Sequence, residues 1–423
     1  MGRFSRGICA TVALLSGCSG LQSPIGAPSA SRQDSGIPTA DAPYRVLYRF
    51  RGNFDGVADG SDPKADLIDV NGTLYGTTYG GGAKGAGTVF SVATNGTEKV
   101  LHSFGRGSDG AAPSAGLINV NGTLYGTTAY GGGSGACGGL GCGTAFSITT
   151  TGSEKVLYRF AGGRDGALPC ANLIDVGDKL YGTTAVGGST HDGTIFSLTT
   201  TGTKRVLHNF KGKNDGAYPS ASLIDVNGTL YGTTRSGGLT YGGTVFSVTP
   251  SGTERVVYAF GGGYNGSYPS ASLIAMNGTL YGTTYSGGAH GAGAVYSVTT
   301  TGKEKVRYSF AGGSNGEYPS ASLVNVNGTL FGTTYQGGGS VCSGGCGTLY
   351  RVSTTGAATV MYRFAGGSDG VHPAASLIDV NGTLYGTTSA GGQGCRRRGP
   401  GCGTVFAFTP PLLVGDARRP DGH

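Results

Sequence analysis

Six cysteines of this chain form three close pairs, and paired thiols can become disulfide bonds or bind a metal ion. The pairs are Cys137/Cys142, Cys342/Cys346 and Cys395/Cys402. A zinc site needs about four ligands, and no pair has a second pair or a nearby His beside it, so the spacing favours disulfides. Each pair lies in a loop that is longer than its Cys-free counterparts. We therefore expect three disulfides that fasten enlarged loops in an oxidising compartment, and no metal or other cofactor.

The remaining cysteine of the repetitive region, Cys170, occupies a position where other copies of the repeat have Ser, as at Ser220. A thiol at such a position is typical of a small buried side chain. The sequence predicts that role for Cys170 and gives it no partner.

Aromatic residues recur at two loop positions, one before Pro and one after a Thr-Thr pair. They are Tyr218, Tyr268, Tyr318 and His372 before Pro, and Tyr79, Tyr285 and Tyr335 after Thr-Thr. Exposed Tyr rings stack on sugars or pack against a protein partner. We predict that these seven residues form a binding face. The alternative is that they pack between neighbouring loops.

An Asp or Asn followed by Gly recurs once in each loop that joins two blades. The residues are Asp109, Asp165, Asp215, Asn265, Asn315 and Asp369, with Asp55 expected in the first copy. A ring of carboxylates would suit Ca²⁺. Asn at two positions and Gly after each residue instead favour turns in which the side chain bonds its own backbone.

Catalytic arrangements are scarce. His102 and His208 replace a Tyr of the repeat and are expected to be packing residues, whereas His191 and His290 lie in loops without matched partners. The chain has no His-Glu-x-x-His and no phosphate-binding loop. The sequence therefore predicts a protein that is not an enzyme.

These residues are carried by seven copies of a unit of about 50 residues, marked by Leu-Tyr-Gly-Thr-Thr, and such a period indicates a repeat architecture. One unit has four short β-branched and aromatic segments, for example from Leu223 to Phe260. Asn-Gly, or Gly177-Asp178 in one copy, joins the first two segments and favours a type I′ hairpin. The pattern predicts an all-β, seven-bladed β-propeller with four antiparallel strands per blade and almost no helix. A parallel β-helix is the alternative.

The order of the segments predicts how the ring closes. A fourth-strand pattern appears first, at 46–50, and the last copy stops after its third segment at Phe408. The N-terminal strand is therefore expected to complete the last blade, which hides two sheet edges. Length variation is confined to the loops between strands two and three and between blades, which share one face. We expect any binding there.

The N-terminus has the pattern of an export signal. Arg3 and Arg6 precede a short apolar stretch, and Leu15-Ser16-Gly17-Cys18 resembles a bacterial lipobox. We predict a signal peptide over 1–17, a lipid-modified Cys18 with a flexible tether over 18–43, a propeller over 44–409 and a C-terminal tail over 410–423. An ordinary cleaved signal peptide is the alternative. The prediction places the protein in the bacterial envelope, anchored to a membrane.

Composition excludes several classes of protein. The chain has 86 Gly residues without a Gly-X-Y period, which excludes collagen. Its formal charge of +7 falls to +5 when residues 1–17 are removed. No basic stripe alternates with aromatic residues, since the one cluster, Arg396-Arg397-Arg398, lies in a loop; nucleic acid is therefore not an expected partner. We expect a monomer.

The segment Gly-Gly-x-x-x-Gly-x-Gly-Thr-Val-Phe-Ser-Val, at Gly81 to Val92 and Gly237 to Val248 with small variations, resembles the GloVer tandem repeat. The resemblance covers 44–409, and the Cys-containing loops and Ala145 depart from it. It implies an exported or surface repeat protein and brings no activity or site residues. Three hypotheses remain: an envelope scaffold that binds a glycan or protein, an extracytoplasmic carbohydrate-active enzyme, and a purely structural surface component.

Overall fold

The computed structural model describes residues 43–53, 56–133, 135–392 and 401–411, which form seven four-stranded antiparallel sheets. In chain order the strands are β1 (Tyr44–Arg49), β2 (Ile68–Val70), β3 (Thr73–Thr78), β4 (Thr88–Ala93), β5 (Glu98–Ser103), β6 (Ile118–Val120), β7 (Thr123–Thr128), β8 (Thr144–Thr149), β9 (Glu154–Arg159), β10 (Ile174–Val176), β11 (Lys179–Thr184), β12 (Thr194–Thr199), β13 (Lys204–Asn209), β14 (Ile224–Val226), β15 (Thr229–Thr234), β16 (Thr244–Val248), β17 (Glu254–Ala259), β18 (Ile274–Met276), β19 (Thr279–Thr284), β20 (Ala294–Thr299), β21 (Glu304–Ser309), β22 (Val324–Val326), β23 (Thr329–Thr334), β24 (Thr348–Ser353), β25 (Ala358–Arg363), β26 (Ile378–Val380), β27 (Thr383–Thr388) and β28 (Thr404–Phe408).

Each sheet is one blade of a propeller. Blades 1 to 6 contain four consecutive strands each, from β2–β5 to β22–β25, and blade 7 has the order β26, β27, β28, β1. Strand β1 pairs antiparallel with β28, with Tyr44 opposite Phe408 and Arg49 opposite Thr404. The predicted closure of the last blade by the N-terminal strand is confirmed.

The first, three-residue strand of each blade lies innermost. Strand β2 lies against both β6 and β26, so blade 1 contacts blade 2 on one side and blade 7 on the other. A parallel β-helix would not bring its first and last units together. The seven-bladed propeller is therefore confirmed, and the alternative of a parallel β-helix is wrong.

The hairpin between the first two strands has the predicted backbone. Asn71 and Gly72 have φ of 53° and 80°, and the reversed pair Gly177 and Asp178 has 58° and 63°. Two successive residues with positive φ define a type I′ turn, whose twist matches that of the strands it joins. The short Asn-Gly signal therefore sets the register of each hairpin.

The core explains why Leu-Tyr-Gly-Thr-Thr recurs. A Cβ placed on Gly232 would lie 2.6 Å from the Phe246 ring and 2.9 Å from Leu223. The missing side chain makes room for Phe246, which packs edge-to-face against Phe210 of the preceding blade at 5.1 Å. Such a buried Phe contributes roughly 3–5 kcal/mol relative to Ala. The same glycine contact recurs in every blade.

The last Thr of the motif forms a buried hydrogen bond between strands two and three. Thr234 Oγ1 and Thr244 Oγ1 are 2.8 Å apart, and five other blades repeat the pair. In blade 5 the partner is Ala294, and Thr284 Oγ1 is buried without a hydrogen bond. The exception shows that the second Thr is present to satisfy the first.

Helical structure among the described residues is confined to four single 3₁₀ turns, the first at Gly163–Asp165. None of the described helices has the length and apolar content required to cross a membrane. The predicted signal peptide, the lipid attachment at Cys18 and the arginine cluster 396–398 lie outside the described residues.

Candidate binding face and central channel

The loop face carries the interblade loops and the loops between strands two and three. On this face, a short antiparallel ladder of backbone hydrogen bonds joins the two loops of each blade. In blade 6, Glu317 of the interblade loop pairs with Gln336 beyond strand two, and the same bridge recurs in the other six blades. This ladder positions both loop residues that are often aromatic, the one before Pro and the one after Thr-Thr.

The residue before Pro has a left-handed backbone in all seven loops. The residues are Asp62, Ala112, Leu168, Tyr218, Tyr268, Tyr318 and His372, with φ of 54 to 59°. This conformation is unfavourable for residues other than Gly and persists where the surroundings enforce it. At Tyr318 the backbone N–H donates to Ala292 at 2.9 Å, and its carbonyl accepts from Tyr335 at 3.1 Å. No local sequence pattern predicted this conformation.

Four of the predicted binding residues form stacked pairs between consecutive blades. Tyr285 stacks on Tyr318 with ring centroids 4.9 Å apart, and Tyr335 stacks on His372 at 4.3 Å. Tyr268 is 42% exposed and Tyr218 is half-buried. We call Tyr218, Tyr268, Tyr285, Tyr318, Tyr335 and His372 the aromatic arc. The same residues therefore pack against one another and remain partly exposed.

Tyr79, the seventh predicted binding residue, lies in blade 1 outside the arc. Its ring is covered by Lys64, whose Nζ lies 3.5 Å from the ring centroid and 2.9 Å from Asp62. Burial, Tyr130 and Asp62 raise the pKa of Tyr79 to about 12. At blade 1 the predicted binding face therefore carries the Lys64 ammonium, which lies between the Tyr79 ring and the Asp62 carboxylate.

Two residues of the arc, Tyr335 and His372, are uncharged at neutral pH. Burial, then Asp62 and Tyr285, raise the pKa of Tyr335 to about 12, so its phenol keeps its proton. Burial lowers the pKa of His372, and its Nε2 is buried without a hydrogen-bond partner. Phenols and a neutral imidazole offer hydrogen bonds without net charge.

Blades 2 and 3 have aliphatic residues at the same positions. Ala112, Ala129, Leu168 and Ala185 are all buried there. The backbone hydrogen bonds of the ladder are retained, as between the Ala129 N–H and the Ala112 carbonyl. The loop face therefore keeps one backbone conformation while its side chains differ between blades.

A ring of hydrogen bonds surrounds the central channel just before the innermost strands. The ring residues, which we call the channel girdle, are Asp66, Gly116, Asn172, Ser222, Ser272, Ser322 and Ser376. Except at Asp66, each N–H donates to the girdle side chain of the next blade, for example from Ser222 to Ser272 Oγ at 2.9 Å. The ring of hydrogen bonds closes where the Ser376 N–H donates to Asp66 Oδ1 at 2.7 Å. Six of these bonds join neighbouring blades.

The girdle has one gap, at Gly116, which has no side chain to accept a bond. Asn172 Nδ2 crosses the gap and donates to Asp66 Oδ2 at 2.8 Å. A Cβ on Gly116 would lie 2.8 Å from the Asp66 carbonyl oxygen and 3.2 Å from the Asn172 amide. Glycine is therefore required for the bridge between Asn172 and Asp66. Sequence reasoning missed the girdle because its members differ in type.

The channel at the girdle holds a cavity of about 90 Å³, lined among others by Lys64, Ser114 and Ser320. This volume is large enough for several water molecules. The hydroxyl oxygens of Ser114 and Ser320 are buried without protein partners, which suits ordered water. The channel is therefore narrow and polar at the girdle.

Two predicted disulfides are confirmed, Cys137–Cys142 and Cys342–Cys346. Each packs on the following interblade loop, where a Cβ on Gly162 or Gly366 would lie about 3 Å from a sulfur atom. Cys402 is also disulfide-bonded, and Cys395, its predicted partner, lies outside the described residues. The expectation for Cys170 is wrong, because it is half-buried and disulfide-bonded.

The interblade acids act as turn residues, as predicted. Asp109 and Asp215, for example, accept a backbone N–H of their own loop at 2.8 and 2.7 Å. In the first loop this role belongs to Asp59, which accepts the Arg51 N–H at 3.0 Å. The assignment to Asp55 is therefore wrong, and Asp55 itself lies outside the described residues. The longer first loop displaced the motif.

Similar solved structures share the fold at low sequence identity. A europium-containing methanol dehydrogenase matches with a TM-score of 0.51 and 10% identity, over 87% of this chain and 93% of that one. A quinohemoprotein alcohol dehydrogenase from Comamonas testosteroni has a TM-score of 0.48 and 11% identity, over 88% and 77%. A protein of unknown function from Bacteroides thetaiotaomicron VPI-5482 has 0.47 and 10%, over 86% and 75%. Such identities show the fold alone.

No curated protein matches this sequence. A family of repeats does, over residues 37–178 and 137–346, which together cover more than half of the chain. The matched segments contain the Gly-rich loops and third strands whose recurrence identified the repeat. The chain belongs to the Gloeobacter/Verrucomicrobia repeat family.

Proposed function

We propose that this propeller is a binding scaffold whose aromatic arc recognises a glycan on the loop face. The observation that carries the proposal is the row of partly exposed aromatic rings over consecutive blades, held on a uniform backbone. Blades 4 to 7 contribute the rings, and the channel beside them is narrow at the girdle. Sugar rings stack on Tyr through their C–H faces, and phenol groups bond their hydroxyls.

Preorganisation supports this assignment. Tyr285 and Tyr335 are held against the aromatic residue of the next blade, and the residues before Pro are fixed by two backbone hydrogen bonds. Side chains ordered before binding lose less entropy when the ligand arrives, roughly 0.5–1.5 kcal/mol less for each. Burial raises the pKa of Tyr285 and Tyr335, so these phenols keep their protons and can donate hydrogen bonds to saccharide hydroxyls.

The test is binding of the purified protein to immobilised glycans, with Tyr268→Ala and Tyr318→Ala as variants. Tyr264→Ala is the matched control, because Tyr264 is 64% exposed in a loop turn but lies outside the arc. Loss of two stacking contacts should weaken binding about tenfold or more, while the control keeps the wild-type affinity. Unchanged binding in the arc variants would reject the site. Binding to envelope proteins but to no glycan would reject the ligand class.

We also propose that the scaffold is anchored to a membrane of the bacterial envelope through lipid on Cys18. The support is the basic and apolar start followed by Leu15-Ser16-Gly17-Cys18. Metabolic labelling with a radioactive fatty acid should mark the wild type and not a Cys18→Ala variant. Equal labelling of both would contradict the anchor.

A further inference from the structure

Three side-chain positions meet at the outer edge of every junction between blades. They are a Tyr or His in the outer strand, the turn acid or amide that follows it, and the first residue of the next blade's outer strand. Between blades 2 and 3, Tyr158 donates to Asp165 Oδ1 at 2.8 Å, and Lys204 Nζ contacts the same oxygen at 2.7 Å. Lys204 is only 1% exposed, so this junction accommodates a buried cation.

Two junctions replace Tyr with His and Lys with Glu. His102, Asp109 and Glu154 meet between blades 1 and 2, and His208, Asp215 and Glu254 meet between blades 3 and 4. In each trio the nitrogen and oxygen atoms lie within 4.8 Å of one another. His102 Nε2 is 3.1 Å from Asp109, whereas His208 Nε2 is 3.0 Å from Asp215 and 4.0 Å from Glu254. Ligands of a tetrahedral zinc ion, at about 2.0–2.2 Å from it, are separated by about 3.3–3.6 Å.

These junctions lack a group that satisfies both carboxylates. A neutral His offers one Nε2–H to two acids, and the Oε1 atoms of Glu154 and Glu254 are buried without a hydrogen bond. The Glu254 side chain is only 7% exposed. The same glutamate oxygen is unpartnered at Glu98 and Glu304, where Tyr replaces His, so the imidazole distinguishes these two junctions.

The second oxygen of each aspartate is already positioned. Asp109 Oδ2 accepts the Gly105 N–H at 2.8 Å, and Asp215 Oδ1 accepts the Lys211 N–H at 2.7 Å. Such bonds orient a carboxylate so that its other oxygen faces the ligand atoms. Each trio thus offers one imidazole nitrogen and two carboxylate oxygens, which come from two neighbouring blades.

We propose that each His junction binds one divalent transition-metal ion of the zinc class, held by His102, Asp109 and Glu154 or by His208, Asp215 and Glu254. The ion takes the place that the Lys204 ammonium has between blades 2 and 3. Three protein ligands leave one position for water. Because the ligands come from two blades, the ion fastens adjacent blades and stabilises the folded ring.

The experiment is a calorimetric titration of the chelator-treated full chain with Zn²⁺ under non-reducing conditions. The wild type should bind two ions, His102→Tyr or His208→Tyr one, and the double variant none. Tyr is the residue at five of the seven equivalent positions, so these variants should keep the fold. Circular dichroism and the unfolding midpoint of the metal-free proteins check this. No binding to the wild type, or equal binding to the double variant, would overturn the proposal.

A gain of binding provides a second, independent readout. Tyr48→His should create a third site, since Tyr48 contacts Asp59 at 2.6 Å and Glu98 begins the next outer strand. Tyr158→His should create none, because Lys204 occupies that junction. Co²⁺ absorption in the visible range reports each tetrahedral site and should rise by about half in the Tyr48 variant. Equal absorption in the two variants would contradict the assignment.

Discussion

Blades 1 to 3 and blades 4 to 7 share a backbone but differ in side chains at the channel and on the loop face. In blades 4 to 7 the channel girdle is four serines and the loop face carries the aromatic arc. In blades 1 to 3 the girdle is Asp66, Gly116 and Asn172, with Lys64 and Cys170 beside them. The first region has Asp66 and Lys64 at the channel and a bridged gap, whereas the girdle of the second region is uniform and has no ionisable side chain.

The difference shows where this repeat tolerates change. The left-handed residue before Pro and its two backbone hydrogen bonds are the same in all seven loops. Substitution has occurred at side chains that project from that backbone, so chemistry has diverged without a change in geometry. Propeller stability and ligand recognition should therefore be separable by mutation, and the two regions should respond differently.

The largest difference is expected between Leu168→Ala and Tyr268→Ala, which truncate the residue before Pro in blades 3 and 5. Leu168 is buried, and its truncation should lower the free energy of unfolding by about 2–4 kcal/mol. Tyr268 is 42% exposed, and its loss should cost below about 1 kcal/mol while reducing glycan binding. Urea unfolding of both variants measures the contrast. Similar losses of stability would show that the arc is a packing layer.

The channel girdle gives the next contrast. Asp66→Ala removes the acceptor for both the Ser376 N–H and the Asn172 amide, and should cost about 2–3 kcal/mol. Ser272→Ala removes one neutral hydrogen bond, from Ser222, and should cost about 1 kcal/mol. Urea unfolding again provides the measurement. If both variants lost the same stability, the bridge across Gly116 would not contribute to ring closure.

The sequence predicted the architecture because each structural signal is local and repeated. Asn-Gly specifies its hairpin by two positive φ values, and the position of the first outer strand specifies closure. The cysteine pairs were read correctly where the structure describes both partners, since their short spacing leaves little choice of pairing. Local repetition thus sufficed for the fold.

The site was less predictable because its contacts join different blades. The Asn172–Asp66 bond spans 106 residues, and His102 meets Glu154 only through the placement of two neighbouring sheets. No local pattern signals such a pair. A column-by-column comparison of the seven repeats shows Glu154 and Glu254 at the same position, and each follows a His in the preceding blade. That correlation was the available signal.

The pH dependence of stability sharpens the contrast at blade junctions. Burial and Asp59 raise the pKa of Glu98 to about 7, against a hydrogen bond from Tyr48 that lowers it. The folded state therefore binds this proton more tightly than the unfolded state, and the contribution to stability is lost as pH rises from about 5 through 7. Glu98→Gln should flatten the fall in unfolding free energy over this range.

Urea unfolding at pH 5, 6, 7 and 8 measures the Glu98 effect. The junction between blades 5 and 6 has Ala358 at the equivalent position, so Ala358→Gln there provides a neutral control with the wild-type pH profile. A parallel pH profile for wild type and Glu98→Gln would mean that Glu98 is ionised in the folded protein, and the charged junctions would then be stable without a proton.

The smallest effect is expected from relieving the left-handed backbone in blade 2. Ala112 has φ of 54°, a conformation that costs an L-residue about 1–2 kcal/mol, whereas Gly adopts it freely. Ala112→Gly also loses a buried methyl and gains unfolded-state entropy, about 1–2 kcal/mol together, so the net change should lie near zero. Ala129→Gly, at the other end of the same backbone hydrogen bond, relieves no such strain and should lose about 1–2 kcal/mol. Equal losses in the two variants would show that the ladder holds Ala112 without strain, and that the uniform backbone is maintained by its hydrogen bonds alone.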